Sequence, residues 1–125
     1  LPAPVPAGTL SGAPLRIGSL NAIAITDRAK VDVSPVNADG TKNATYNYGG
    51  GNANNNASVH FEGVVTVDVT TGSAPAFGTP VYFDPAGTPK LTTTAGSLAV
   101  WGHAVDLAPV NNGGGTYKVL VRISN

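Results

Sequence analysis

An all-β fold is what this 125-residue chain predicts, on three observations. Its apolar residues are mostly Val, Ala, Leu and Ile in short runs, and 16 Gly and 10 Pro punctuate them in the manner of strands and turns. Several of these runs alternate apolar and polar residues with a period of two, as half-buried strands do. No stretch keeps a helical period for more than about two turns. The length fits one domain with a modest core, and strands at this spacing fit a small barrel or a sandwich.

The chain opens with Leu1-Pro2-Ala3-Pro4-Val5-Pro6. Each proline fixes its own φ and pushes the residue before it towards extended conformations. Residues 1–8 are therefore expected to form an extended arm, unsuited to a central strand and dispensable to the fold, either a disordered tail or an arm laid across a neighbouring subunit, and residues 9–125 a single β domain. Leu15-Arg16-Ile17 and Leu20 to Ile25, parted by Gly18-Ser19, read as two strands or one bent strand, and Lys30-Val31-Asp32-Val33 as a half-buried one. From Asn37 to Ser58 the composition turns to Asn, Gly, Ala and Thr, which predicts a loop insertion at about 37–58. Tyr46 and Tyr48 are its large side chains and are expected to anchor it to the body or to a neighbour.

Val59 to Val69 is the clearest strand, with Val59, Phe61, Val65, Val67 and Val69 on one face and a bulge or a close backbone approach expected at Gly63. Thr79 to Asp84, Leu98 to Leu107 and Thr116 to Ser124 read as three more strands, and Asn111 to Gly115 as a flexible turn.

Seven Lys and Arg balance seven Asp and Glu, and only 11% of residues are charged. A neutral surface lacks the long-range pull that drives binding to phosphate backbones, so no nucleic-acid partner is expected. No apolar run is long enough for a membrane-spanning helix, and no charged-then-apolar signal segment is visible, so a soluble chain without a membrane partner is expected. Low charge favours association with other proteins.

The parts of an active site are missing. With no Cys, thiolate nucleophiles, thiolate metal sites and disulfides are excluded. His60 and His103 lie far apart in sequence, each within a strand; with a carboxylate such as Glu62 or Asp106 they could in principle bind a metal, but a solvent-facing or hydrogen-bonded strand histidine explains both. There is no G-x-S-x-G elbow and no Walker loop. Trp101 offers a sugar platform, although a lone Trp in an apolar strand is usually core. No enzyme, cofactor or metal is expected.

An ordered series of motifs adds an identity. Glu62-Gly63-Val64-Val65 is followed by Gly78-Thr79-Pro80-Val81-Tyr82-Phe83-Asp84, Leu91-Thr92-Thr93-Thr94, Trp101-Gly102-His103-Ala104-Val105, and Tyr117 to Ile123. The stretch Pro14 to Leu20 and the run Ile23-Ala24-Ile25-Thr26-Asp27 agree as well. In order and spacing this resembles the capsid cement, or head decoration, proteins of tailed bacteriophages, with the 37–58 insert as the clearest departure. The resemblance implies a small β-barrel or β-tulip-like domain on the outer surface of the virion capsid. It implies the major capsid protein as partner, and a homotrimer at three-fold and quasi-three-fold positions. The arm, Leu1, Pro2, Pro4, Val5 and Pro6, together with Tyr46 and Tyr48, is then the expected capsid or subunit contact, with the arm laid as an extra strand on the shell. The alternative is another virion or cell-surface β-module, a tail, fibre or carbohydrate-binding domain.

Overall fold

Alternate prolines hold the first residues extended, and the chain docks that extended segment on itself. The computed structural model describes residues 1–30, 36–43 and 51–125, which form ten strands and, among these residues, no α-helix. The chain divides into two compact units, each built from two segments: Leu1–Ala13 with Ile23–His60, and Pro14–Ala22 with Phe61–Asn125.

In the first unit, β1 (Pro2–Pro4) lies antiparallel to β4 (Asn56–His60), with Pro2 opposite Ser58, Ala3 opposite Ala57 and Pro4 opposite Asn56. The far side of β4 pairs with the end of β3 (Leu20–Ala24) through Ile23–His60 and Ala24–Val59. Ala3, Val5, Ala24, Ala29, Ala57 and Val59 are buried, a core of small side chains. The Arg28 guanidinium donates to the Val5 carbonyl at 3.2 Å, and the Arg28 N–H donates to Thr9 O at 2.9 Å. The arm is thus extended, but it is an edge strand of its own unit. Removing it exposes β4 and takes away two buried side chains, so the fold depends on it more than its terminal position suggests.

The 37–58 stretch is structured at both described ends. Val36 bridges Lys42 across a tight turn in which Asn37 N–H donates to Thr41 O at 2.7 Å and Gly40 N–H to Asn37 O at 2.9 Å. The carboxylate of Asp39 accepts from the Thr41 hydroxyl at 2.6 Å and from its N–H at 3.0 Å, which holds the Asp39 pKa below its ordinary value. At the other end Asn56, Ala57 and Ser58 belong to β4, not to a loop, because Ala57 packs inward and all three face β1. Tyr46, Tyr48 and the expected strand at 31–33 lie outside the described residues.

The second unit carries β2 (Pro14–Ile17), the first residues of β3, and six further strands: β5 (Val64–Thr70), β6 (Pro80–Phe83), β7 (Leu91–Thr92), β8 (Ala99–Ala104), β9 (Val110–Gly113) and β10 (Thr116–Ile123). Their order is β5-β7-β6-β8-β10-β9, and β5 also pairs with β10, so five strands close into a hydrogen-bonded ring. The β5–β10 seam runs from Thr116 opposite Thr70 to Arg122 opposite Val64. A single parallel bridge, Thr70 to Thr92, joins β5 to β7. Leu15, Val67, Val69, Val81, Leu91, Trp101, Ala104, Val119, Val121 and Ile123 are buried, from strands that alternate inward apolar with outward polar residues.

Two buried polar groups fasten this unit. Trp101 is fully buried and its indole N–H donates to Leu15 O at 2.9 Å, which satisfies the one donor that its burial would strand. Asn21 is 3% exposed and uses its whole amide: Nδ2 donates to Val100 O at 2.9 Å and Ser124 O at 2.6 Å, and Oδ1 accepts from Arg16 Nη1 at 2.8 Å. Its backbone is gripped by the Asn125 amide, which accepts from Asn21 N–H at 2.7 Å and donates to Asn21 O at 2.9 Å.

Three predicted elements differ in detail. The Val59 to Val69 strand is two strands, because Gly63 sits at φ 118°, where side-chain-bearing residues rarely go, and the chain turns there instead of bulging. The Leu98 to Leu107 strand ends at Ala104, since the Asp106 carboxylate takes the Leu120 N–H at 3.0 Å and the Ala108 N–H at 2.9 Å and turns the chain away from the ladder. Within the expected turn at 111–115, residues 111–113 belong to β9, and only Gly114-Gly115 link it to β10.

Candidate functional site

The second unit presents large apolar side chains on backbone that is tied down. Phe77 occupies the second position of a turn closed by Thr79 N–H to Ala76 O at 3.1 Å, and Gly78 at φ 89° supplies the conformation such a turn needs at its third position. The turn is held to the end of β8: Gly78 N–H donates to Ala104 O at 2.6 Å, and Ala104 N–H to Thr79 O at 2.8 Å. Phe77 is 64% exposed at its tip. Three residues beyond Ala104, Leu107 stands 91% exposed on the turn that Asp106 organises. Val110 and Leu120 are also exposed, on β9 and β10, and Val105 N–H donates to Leu120 O at 2.9 Å.

Hydrogen bonds link Phe77's turn to Ala104 and Leu107's turn to Leu120, and Val110 lies opposite Lys118 on the neighbouring strand. The polar border is modest. Lys118 and Asp68 form an exposed ion pair at 3.3 Å, and Asn112 Nδ2 donates to the same Asp68 oxygen at 3.0 Å. Exposed pairs of this kind contribute little to stability, so the chemistry of this corner is apolar contact. Backbone that is already held in place need not be ordered again when a partner covers the side chains it carries.

Among the predicted contact residues, Leu1, Pro2, Pro4 and Pro6 are exposed on the first unit, while Val5 is buried in that unit's own core. Phe77 and Leu107 were not predicted. The signals for them are local: a large apolar residue directly before the turn glycine Gly78, and Asp106 and Pro109 bracketing Leu107.

Among the described residues no three His, Asp or Glu side chains gather as a metal site. A cleft of about 300 Å³ in the second unit is lined by Leu20, Phe61, Glu62, Arg122, Ile123, Ser124 and Asn125. Its lining carries the Glu62 carboxylate, the Arg122 guanidinium and the Ser124 hydroxyl, and the Asn125 amide on its wall is engaged with Asn21 and the Phe61 carbonyl. Trp101, fully buried, is no sugar platform.

The class that the fold defines is a small all-β protein that carries exposed apolar side chains on hydrogen-bonded turns. A family model described as phage cement protein matches residues 2–123, and the chain belongs to that family. No curated protein and no solved structure matches it. Membership associates the chain with the phage capsid, as a structural component of the virion.

Proposed function

We propose that this protein decorates the outer surface of a tailed-phage head, binds the major capsid protein there and bridges neighbouring capsid subunits, without catalysing a reaction. It acts as a homotrimer at three-fold and quasi-three-fold positions. The observation that carries this reading is the cement-family match over residues 2–123, read together with the pinned, exposed Phe77 and Leu107. A shell fails when capsomers separate, and a trimer that grips several of them multiplies weak contacts through effective concentration. The second unit's apolar corner supplies one contact. The outward residues of the arm, Leu1, Pro2, Pro4 and Pro6, supply another by apolar packing, and Tyr46 and Tyr48 are further contacts in this proposal. Val5 is committed inward.

The test is to mix purified protein with mature capsids that lack it, sediment the capsids, and reconstruct the complex. Saturable binding with three-fold density on the outer surface is expected. Absence of binding refutes the capsid reading, and ordered density away from the three-fold positions refutes the trimer.

A further inference from the structure

The register of β1 decides which of its backbone groups serve β4 and which face outward. Leu1 and Val59 form a two-bond pair: the Leu1 nitrogen donates to Val59 O at 3.2 Å, and Val59 N–H donates to Leu1 O at 2.9 Å. In an antiparallel ladder such pairs recur at every second residue. Ala3 with Ala57 is the next, and Val5 N–H to Asn55 O at 3.3 Å continues the series. Residues 2, 4 and 6 therefore turn their backbone groups to the other edge, and among the described residues β1 is the outermost strand of its sheet. All three are proline. The open edge shows the carbonyls of Pro2 and Pro4 and no N–H, while the Pro6 carbonyl is occupied by the Thr9 N–H and hydroxyl.

We propose that these prolines close the N-terminal edge against strand addition by a second copy of this chain. Two such edges laid antiparallel must exchange N–H and C=O groups. With ordinary residues at 2 and 4, spaced about 6.8 Å apart, each edge would offer two donors and two acceptors. With proline at both, neither edge offers a donor and no bond forms between them. The placement also keeps the strand extended, so the residues that shut the outer edge support the inner ladder. Charged side chains are the other common guard of an edge, and β1 has none. A chain of zero net charge has no long-range repulsion to keep its copies apart either. The inference is independent of the capsid reading.

The experiment compares the protein with its P2A/P4A variant by sedimentation velocity across a concentration series. The association constant for species larger than the parent's own assembly is expected to rise at least tenfold, and an unchanged constant overturns the proposal. Alanine also loosens β1, so a second variant, P2A/P4C/N56C, keeps the strand fastened. Pro4 and Asn56 face each other as a non-hydrogen-bonded pair, with Cα atoms about 4.5 Å apart, within reach of a disulfide. The chain has no other cysteine to interfere. With the bridge formed inside one chain, verified by mass, the raised association persists if the open edge causes it. If locking β1 abolishes the association, the copies were joined by a released arm and the proposal fails.

Discussion

Gly102→Ala tests the account of the ring directly. Gly102 lies in β8 opposite Ile123 of β10 and opposite Val81 of β6, between two neighbours at once. A Cβ placed there would meet the Arg122 carbonyl oxygen at 2.4 Å and Val121 Cγ1 at 2.7 Å. Carbon and oxygen pack across a sheet at no less than ~3.3 Å, so β10 must retreat by roughly 0.9 Å. The obstacle is backbone and cannot rotate aside. Retreat weakens the three β8–β10 pairs and the Ser124 N–H to Trp101 O bond at 3.0 Å. Overpacking costs about 1–3 kcal/mol and each lost hydrogen bond about 1 kcal/mol, which puts the total near 3 kcal/mol. For a chain of this length that corresponds to a drop in Tm of about 10 °C. Urea denaturation and calorimetry read it, with Gly72→Ala as the control, since a Cβ at Gly72 meets nothing within 4 Å. A loss below about 1 kcal/mol for Gly102→Ala would refute the close approach of β8 and β10.

Three further outcomes are expected. Trp101→Phe removes the donor to Leu15 O and leaves a void, costing about 2–4 kcal/mol in urea denaturation followed by circular dichroism. Leu107→Ala leaves melting unchanged, because the side chain is 91% exposed, yet weakens capsid binding by about 2 kcal/mol per contact, roughly thirtyfold, measured by co-sedimentation. Asp39, whose pKa is lowered by the Thr41 hydroxyl and N–H, should titrate by NMR below the ordinary aspartate value of 3.8. A depressed folded-state pKa means that its contribution is present above the unfolded value and is lost as pH falls through the folded one. The Thr41 amide signal should therefore shift in acid in the native chain and not in Asp39→Asn.

The strands with clean alternation could be read in advance. Tyr117, Val119, Val121 and Ile123 fix one face of β10, and Val65, Val67 and Val69 one face of β5, because period-two burial is a local property of sequence. What escaped was set by partners distant in the chain. β1 looks like a free arm until Val59 and Ala57, more than fifty residues away, supply its ladder. β7 is two residues long and β9 is wholly exposed, so neither carries a hydrophobic signal. The candidate site was harder still. Leu107 reads as the last residue of a strand, and only the Asp106 carboxylate, committed to an amide on β10, makes it a tip.

β10 pairs with β5 and β8, its two neighbours in the ring, and with β9 outside it, so it is the stave that closes the ring. Its partners run back as far as Val64, and the ring cannot close while residues 116–123 are still being synthesised or held in the ribosome. Until then the inward valines of β5 and the indole of Trp101 have no finished core to enter. The second unit must therefore fold late and all together once β10 emerges, as chains dominated by long-range strand pairing do.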